Sequence, residues 1–561
     1  MASVQTAFDL FRSGDLAAAE EEARSALAAG DHPGLRHLLG VLLCRRGSLD
    51  EGAAELGRSL ELVPANPGAR ISYVRALIDL GRPGEALRHA RRPAPGPQAV
   101  ELWRLRAEAA QAAGALADRA EALHCADFEA TQAALAERPS DLELRLRRAR
   151  LLGMLMRDEE AERAYRDILR DHPAHSEAVH DLGLILERGN RLGEVQALVD
   201  SAVAGGCEPA ELALLEAFLA WRDGDPDKVL EWLSQPAAAR DERRSYQLEA
   251  KAQDALGNFD AAFKAAQAAN DAVADRDQLR LSAATFRSEL RHLAGIITPN
   301  WSSGWSPAAP GRRRAPVFLV GFPRSGTTLL DTLLMGHSQV TMVEEVPALG
   351  LVAERLGSLA SVADLDDEAA DKLRQFYFKQ IDMVAGEGSG GLVVDKLPLN
   401  MVFAPLIYRL FPDSKIIFAQ RHPCDCVLSA FFQSFGMNPA MACFLDIRDS
   451  ADLYDCAMQV WTASRSALPL DVHTLGYERM VEQPESELRP LFDFLGLEWD
   501  SRVLDHRTTA AERGAISTPS YDQVTRPITT RSVDRWRRYE AQLQPVLPTL
   551  LPWAERFGYR R

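Results

Sequence analysis

The residues Gly321 to Thr328, GFPRSGTT, place an arginine between two glycines and two threonines after the second glycine. The apolar run Val317 to Val320 before them has the pattern of a buried strand. Thr327 to Leu334, with leucines three and four apart, has the pattern of a helix. The octet is then a strand-to-helix turn, which aims backbone N–H groups and the positive end of a helix dipole at one spot and suits an oxyanion. Nucleoside-triphosphate enzymes use the frame G-x-x-x-x-G-K-[ST], whose lysine reaches the β- and γ-phosphates. Here Thr327 stands in that lysine's place, and the cation, Arg324, lies inside the loop. The plainer alternative is a glycine-containing turn bent for backbone reasons alone.

A second element lies downstream. Lys415 to Gln420, KIIFAQ, has the composition of a strand; Arg421 follows it and Ser429 comes eight residues later. An arginine fork can donate two parallel hydrogen bonds to a phosphate dianion. The structural alternative pairs Arg421 with Asp425 and leaves Ser429 facing solvent. In order and separation, the two elements resemble the sulfotransferases that use 3′-phosphoadenosine 5′-phosphosulfate (PAPS). The resemblance implies that Arg324, Ser325, Gly326, Thr327 and Thr328 grip the 5′-phosphosulfate and that Arg421 and Ser429 hold the 3′-phosphate. It also implies 3′-phosphoadenosine 5′-phosphate (PAP) as product.

The chain is further similar to the tyrosylprotein sulfotransferases and their bacterial relatives. Val343-Glu-Glu-Val346 puts Glu345 twenty-one residues after Arg324, where that family carries its base. Val394-Asp-Lys-Leu-Pro398 resembles the segment whose lysine, here Lys396, stabilises the leaving phosphate. Asp471 to Met480 resembles a strand ending in Tyr-Glu, which implies Tyr477 near the adenosine. Ser520 to Trp536 resembles a loop closing over the cofactor, with Ser520 near the leaving oxygen and Arg535 on the 3′-phosphate. Bland roles exist for several of these: Glu344 and Glu345 as surface acids at a helix start, Lys396 as a solvated loop lysine, Tyr477 as a core aromatic. Two positions depart from the family: Gln433 stands where a further arginine is usual, and Pro347 where a basic residue receives acidic peptides. The acceptor hydroxyl is therefore left open between peptide tyrosine, sugar, lipid and small molecule.

Sulfuryl transfer builds negative charge on the bridging oxygen as the phosphosulfate bond breaks, so cations and N–H donors aimed there are the main resource. Under this resemblance Lys396 and Arg324 do that work, and Glu345 is the catalytic base. No metal is expected, because the chain has no C-x-x-C, H-E-x-x-H or EF-hand pattern. Cys424 and Cys426 are expected to be partly buried thiols. A triphosphate enzyme would need a lysine at 327. A scaffold with a non-catalytic nucleotide-binding domain is the alternative, and it predicts loss of Glu345 or Lys396, both of which are present.

The elements that position these residues occupy the second half of a chain of 561 residues. Residues 1–290 are rich in Ala, Leu, Glu and Arg with helical periodicity. Gly14, Gly47, Gly81 and Gly114 recur every 33 or 34 residues, Gly224 and Gly257 are 33 apart, and Pro33 to Pro67 and Pro139 to Pro173 are each 34 apart. Leu39 to Leu43 and Leu182 to Leu186 match the first helix of tetratricopeptide repeats, of which about eight are expected, stacked as a solenoid whose groove takes a protein or peptide. The architecture expected is multidomain: an all-α tetratricopeptide solenoid (1–290), a linker (291–314), and an α/β P-loop-like sulfotransferase domain with a central parallel sheet (315–561). This identifies the chain with a tetratricopeptide-repeat sulfotransferase family. A net charge of −16 argues against nucleic acid as the main partner. The start of the chain lacks a signal-peptide pattern, no run of eighteen apolar residues occurs, and seven cysteines make no disulfide framework. A cytoplasmic protein with no membrane span is expected.

Overall fold

The computed structural model describes residues 2–90, 96, 98–113, 115–303, 313–385, 391–512 and 528–559. Two compact units divide at Leu219 and Ala220. The first is a series of antiparallel helix pairs, beginning with Ala2–Ser13 and Leu16–Ala29, then Pro33–Arg45 and Leu49–Leu62. Helix starts are set locally: the side chains of Asp15, Asn66 and Asp141 each accept the N–H of the residue three ahead, satisfying one orphan donor of the first turn. Small residues let paired helices approach. A Cβ on Gly40 would lie 2.6 Å from Leu56 Cγ and 2.9 Å from the Gly52 carbonyl oxygen.

Gly14, Gly47, Gly81, Gly224 and Gly257 all have positive φ, as tight helix-to-helix turns require. Met156 and Asn190 adopt the same left-handed conformation, both at φ +56. They continue the 34-residue spacing to Gly224, so the repeat runs on through turns whose left-handed position is not a glycine. The long helix Leu116–Glu137 offsets this run from the earlier turns.

The second unit begins with helices Pro226–Leu233, Glu242–Ala255, Phe259–Asp271 and Arg276–Ile296. The sequence boundary near residue 290 follows composition; packing places these last repeat-like helices with the sheet that follows. Five parallel strands form that sheet: β1 (Val317–Gly321), β2 (Val340–Glu344), β3 (Leu392–Lys396), β4 (Lys415–Gln420) and β5 (Asp471–Gly476), in the order β2-β3-β1-β4-β5. Val317, Leu319, Val394, Ile417 and Leu475 pack on one face against Leu330, Leu333 and Leu334 of the helix Thr327–Met335 and against Leu488, Leu491 and Phe492. On the other face Phe318 lies near Tyr377 and Phe411, and Phe418 stacks on Trp461 at 4.7 Å. Both faces are covered, which is why β1 is apolar throughout rather than alternating. No helix among the described residues is long and apolar enough to cross a membrane.

One polar contact sits inside this core. The Tyr377 hydroxyl donates to Asp395 Oδ2 at 2.7 Å, and burial pushes the Asp395 carboxyl up to about 7 despite that bond. The unfolded chain releases this proton near 3.8, so the folded state holds more protons between those values and gains stability as pH falls from 7 toward 4. Above 7 it carries a buried carboxylate. Asp395→Asn is therefore expected to raise Tm at pH 8 and to leave it nearly unchanged at pH 5; thermal scans at the two pH values check this, and an equal shift at both would contradict it.

Candidate active site

A parallel sheet brings the carboxyl ends of all its strands to one edge, where open α/β sheets bind ligands. Every strand here delivers a candidate residue to that edge. β1 runs into the loop that ends at Thr327, β2 ends at Glu344 with Glu345 next, and β3 ends at Lys396. Arg421 follows β4, and Tyr477 follows β5. Register reinforces this arrangement, since Glu344 pairs with Lys396 and Leu319 also pairs with Lys396.

Lys396 is fully buried, and its ammonium bonds Glu344 Oε1 at 2.8 Å and Glu345 Oε1 at 2.8 Å, with Asp331 Oδ2 at 3.4 Å. Burial alone would lower its pKa, but the carboxylates of Asp331, Glu345 and Glu344 outweigh it and hold the pKa above the ordinary lysine value. The three acids differ in access: the side chains of Asp331, Glu344 and Glu345 are 0%, 14% and 38% exposed. Only Glu345 combines contact with Lys396 and substantial access to an incoming hydroxyl. Its backbone is left-handed at φ +56, and its N–H is tied to the Lys396 carbonyl at 2.9 Å. Such a conformation costs on the order of 1 kcal/mol or more in a non-glycine residue and persists where its surroundings fix it, as they do at functional sites.

The second cluster is cationic. Arg324, also left-handed at φ +71, donates from Nε to Ser429 Oγ at 3.1 Å. Ser429 lies on the helix Pro423–Phe431. Arg421 donates to the carbonyls of Arg324 at 2.8 Å and Ser532 at 2.6 Å, and its guanidinium lies 4.5 Å over the Tyr477 ring. Asp425 instead accepts the Trp536 N–H at 2.8 Å, so the Arg421–Asp425 pairing gives way to a tie between this helix and the C-terminal segment. Burial, with the charges of Arg421 and Arg535 added, pushes Arg324 down to about 10. Gly326, at φ +97, brings the loop against Tyr477: a Cβ there would lie 2.4 Å from Tyr477 Cδ2.

This arrangement fits an anionic ligand. Arg421 Nε and Ser325 Oγ are buried with no hydrogen-bond partner among the described residues. Thr327 and Thr328 are buried at the first turn of their helix, where N–H groups have no intrahelical acceptor. Arg535, at the start of the short turn Arg535–Tyr539, is close enough for its charge to act on Arg324.

The structure thus gathers Arg324, Ser325, Gly326, Thr327, Thr328, Glu345, Lys396, Arg421, Ser429 and Tyr477 at the strand ends, and carries Arg535 beside them. Ser520 lies outside the described residues. Tyr477 begins the helix Tyr477–Glu482 rather than closing β5. Cys424 and Cys426 are fully rather than partly buried, and burial pushes Cys424 up to about 12. Asp331 was missed, although it is the single acid in the leucine-rich helix Thr327–Met335 and so was marked by its own oddity. Glu478 was missed too; it accepts the His422 N–H at 2.9 Å and the Tyr559 hydroxyl at 2.9 Å, joining β4's end to the chain's last residues.

Residues 316–501 match the model of the sulfotransferase family. An uncharacterized protein of Aquifex aeolicus (strain VF5) is 27% identical over 405 residues, 68% of this chain; the chain spans 52% of that relative's length. Protein-tyrosine sulfotransferase 1 of Danio rerio is 27% identical over 263 residues, 43% of this chain and 72% of the relative. A solved sulfotransferase domain from the curacin biosynthetic pathway aligns with 45% of this chain and 99% of its own at 23% identity, with a TM-score of 0.34.

Lys396 touches all three carboxylates of this cluster. Removing one partner of a buried ion pair typically costs about 3–5 kcal/mol. Lys396→Met is expected to lose about 3 kcal/mol in urea unfolding, and adding Asp331→Asn should recover part of that. A second substitution that deepens the loss would contradict the charge account.

Proposed function

We propose, for a chain that joins a tetratricopeptide-type helical region to a sulfotransferase-family domain, that the protein transfers the sulfuryl group of PAPS to a hydroxyl acceptor and releases PAP. The observation that carries the proposal is the concentration of buried positive charge around Arg324 and Arg421, which includes an Arg421 Nε with no partner among the described residues. Arg324, Ser325, Gly326, Thr327 and Thr328 would hold the 5′-phosphosulfate, Arg421, Ser429 and Arg535 the 3′-phosphate, and Tyr477 the adenosine. When bound, PAPS supplies the activated sulfuryl group. Glu345 receives the proton of the acceptor hydroxyl at its carboxylate, which the Lys396 ammonium holds in place at 2.8 Å. Lys396 and Arg324 stabilise the charge that develops on the leaving side. Glu344 and Asp331 hold the lysine at the strand end from the buried side.

The repeats suit recruitment of a protein or peptide partner, so that a tyrosine or another carrier-bound hydroxyl is brought to Glu345. A cytoplasmic setting accords with cysteines that are all free thiols.

The division of labour can be tested by two substitutions. Glu345→Ala should bind adenosine 3′,5′-bisphosphate within about twofold of wild type yet lose about 100-fold or more in labelled sulfate transfer to a tyrosine peptide. Arg421→Ala should weaken bisphosphate binding about tenfold or more, the cost of losing a charge-assisted hydrogen bond. Equal binding losses in the two variants would overturn the assignment.

A further inference from the structure

The helix Glu242–Ala255 ends at the turn of Gly257 and has the spacing of a repeat helix, yet it reaches the nucleotide side of the sheet domain. Its Asp254 Oδ1 lies 3.1 Å from Arg535 Nη2 and also accepts the Tyr539 hydroxyl. The Arg535 guanidinium lies 4.9 Å over the Phe432 ring and 5.4 Å over the Tyr539 ring. The partner helix of this hairpin, Phe259–Asp271, is fastened to the same place. Buried Asn270 donates from Nδ2 to the carbonyls of Phe431 at 3.1 Å and Phe444 at 3.4 Å, and Phe263 stacks on Phe431 at 4.8 Å. Phe431 closes the helix that carries Ser429. One hairpin thus braces both the serine that Arg324 bonds and the third arginine.

Electrostatics gives the brace a task. Arg324 and Arg421 are fixed by the loop and by β4, and their charges repel a third guanidinium, most strongly where water is excluded. The backbone beside Arg535 is held through the Trp536 N–H on Asp425, whereas its guanidinium is placed by its side-chain partners. Asp254 is the carboxylate that pairs it, and the two rings shape its slot. We propose that Asp254 is a positioning residue of the nucleotide site, holding Arg535 beside Arg324 and Arg421 so that a repeat-type helix completes the pocket for the 3′-phosphate. This rests on the assignment of that pocket to PAP and PAPS.

The test uses the full chain and the ratio of its affinities for adenosine 3′,5′-bisphosphate and adenosine 5′-phosphate, read by calorimetric titration. Asp254→Asn should reduce the preference for the bisphosphate about tenfold while leaving the monophosphate affinity unchanged. Asp254→Glu, which restores the charge, should recover part of the preference. Tyr539→Phe removes the other hydrogen bond to Asp254 but keeps the ion pair, so it should lower Tm without changing the ratio. In an Arg535→Ala background, Asp254→Asn should have no further effect on the ratio. A preference that survives in Asp254→Asn but falls in Arg535→Ala would reduce Asp254 to a structural role and overturn the inference, as would tighter bisphosphate binding by Asp254→Asn. A wild-type protein with no preference for the bisphosphate would instead overturn the proposed function itself.

Discussion

Crowding like charges into a water-poor pocket is unfavourable, and much of the sheet domain's polar structure can be understood as the means of sustaining it. Arg324 is pushed down to about 10 by burial and by its neighbours, a sign that its charge is held against resistance. What holds the cluster is a set of fixed acceptors: the carbonyls of Arg324 and Ser532 for Arg421, Ser429 for Arg324, and Asp254 for Arg535. These acceptors come from a loop, a helix, the C-terminal segment and a repeat-type helix. Asp254 is the charged one among these acceptors and offsets one of the three guanidiniums. Asp425 and Glu478 act on Arg421 by their charge, and an anionic ligand would offset what is left. The same logic explains why the C-terminal segment is tied down so closely. Asp425 takes the Trp536 N–H, the His422 ring lies parallel to Trp536 at 5.0 Å, and Glu478 holds both the His422 N–H and Tyr559. Burial pushes His422 down to about 4, so its ring is neutral at neutral pH and adds no positive charge to the repulsion.

The acidic cluster at the ends of β2 and β3 has the opposite sign and a complementary logic. One buried lysine meets three carboxylates there, and the most exposed of the three is Glu345. A base must be ionised and reachable; a leaving-group cation must be charged although buried. The 2.8 Å contact puts the reachable carboxylate directly beside the buried lysine, whose pKa is held above the ordinary value by its three acids. The parallel sheet places the acidic cluster and the cationic one at the same edge, because every strand ends there.

Much of this was legible in the sequence where local physics dominates. β1 and β4 follow from apolar runs, the helix Thr327–Met335 from its leucine spacing, and the turns at Gly14, Gly47, Gly81, Gly224 and Gly257 from the need for positive φ. The turn at Met156 was not legible, because its left-handed backbone falls on a residue with no preference for it, and the turn at Asn190 was missed although asparagine tolerates that conformation. Asp331 shows the same limit in another form: its burial becomes intelligible only once Lys396 is known to face it. The contact of Asp254 with Tyr539 spans 285 residues, and no local pattern in either helix announces it. Composition put the end of the repeats near residue 290, whereas packing sets the last repeat hairpin against the helix that carries Ser429.

The central claim is that the cationic edge of the sheet is built for a nucleotide bearing a 3′-phosphate. Calorimetric titration of the full chain with adenosine 3′,5′-bisphosphate, beside 5′-ADP and Mg-ATP, tests it most directly. The account predicts tight binding of the bisphosphate and weak binding of the other two; no binding, or a preference for Mg-ATP, would contradict it.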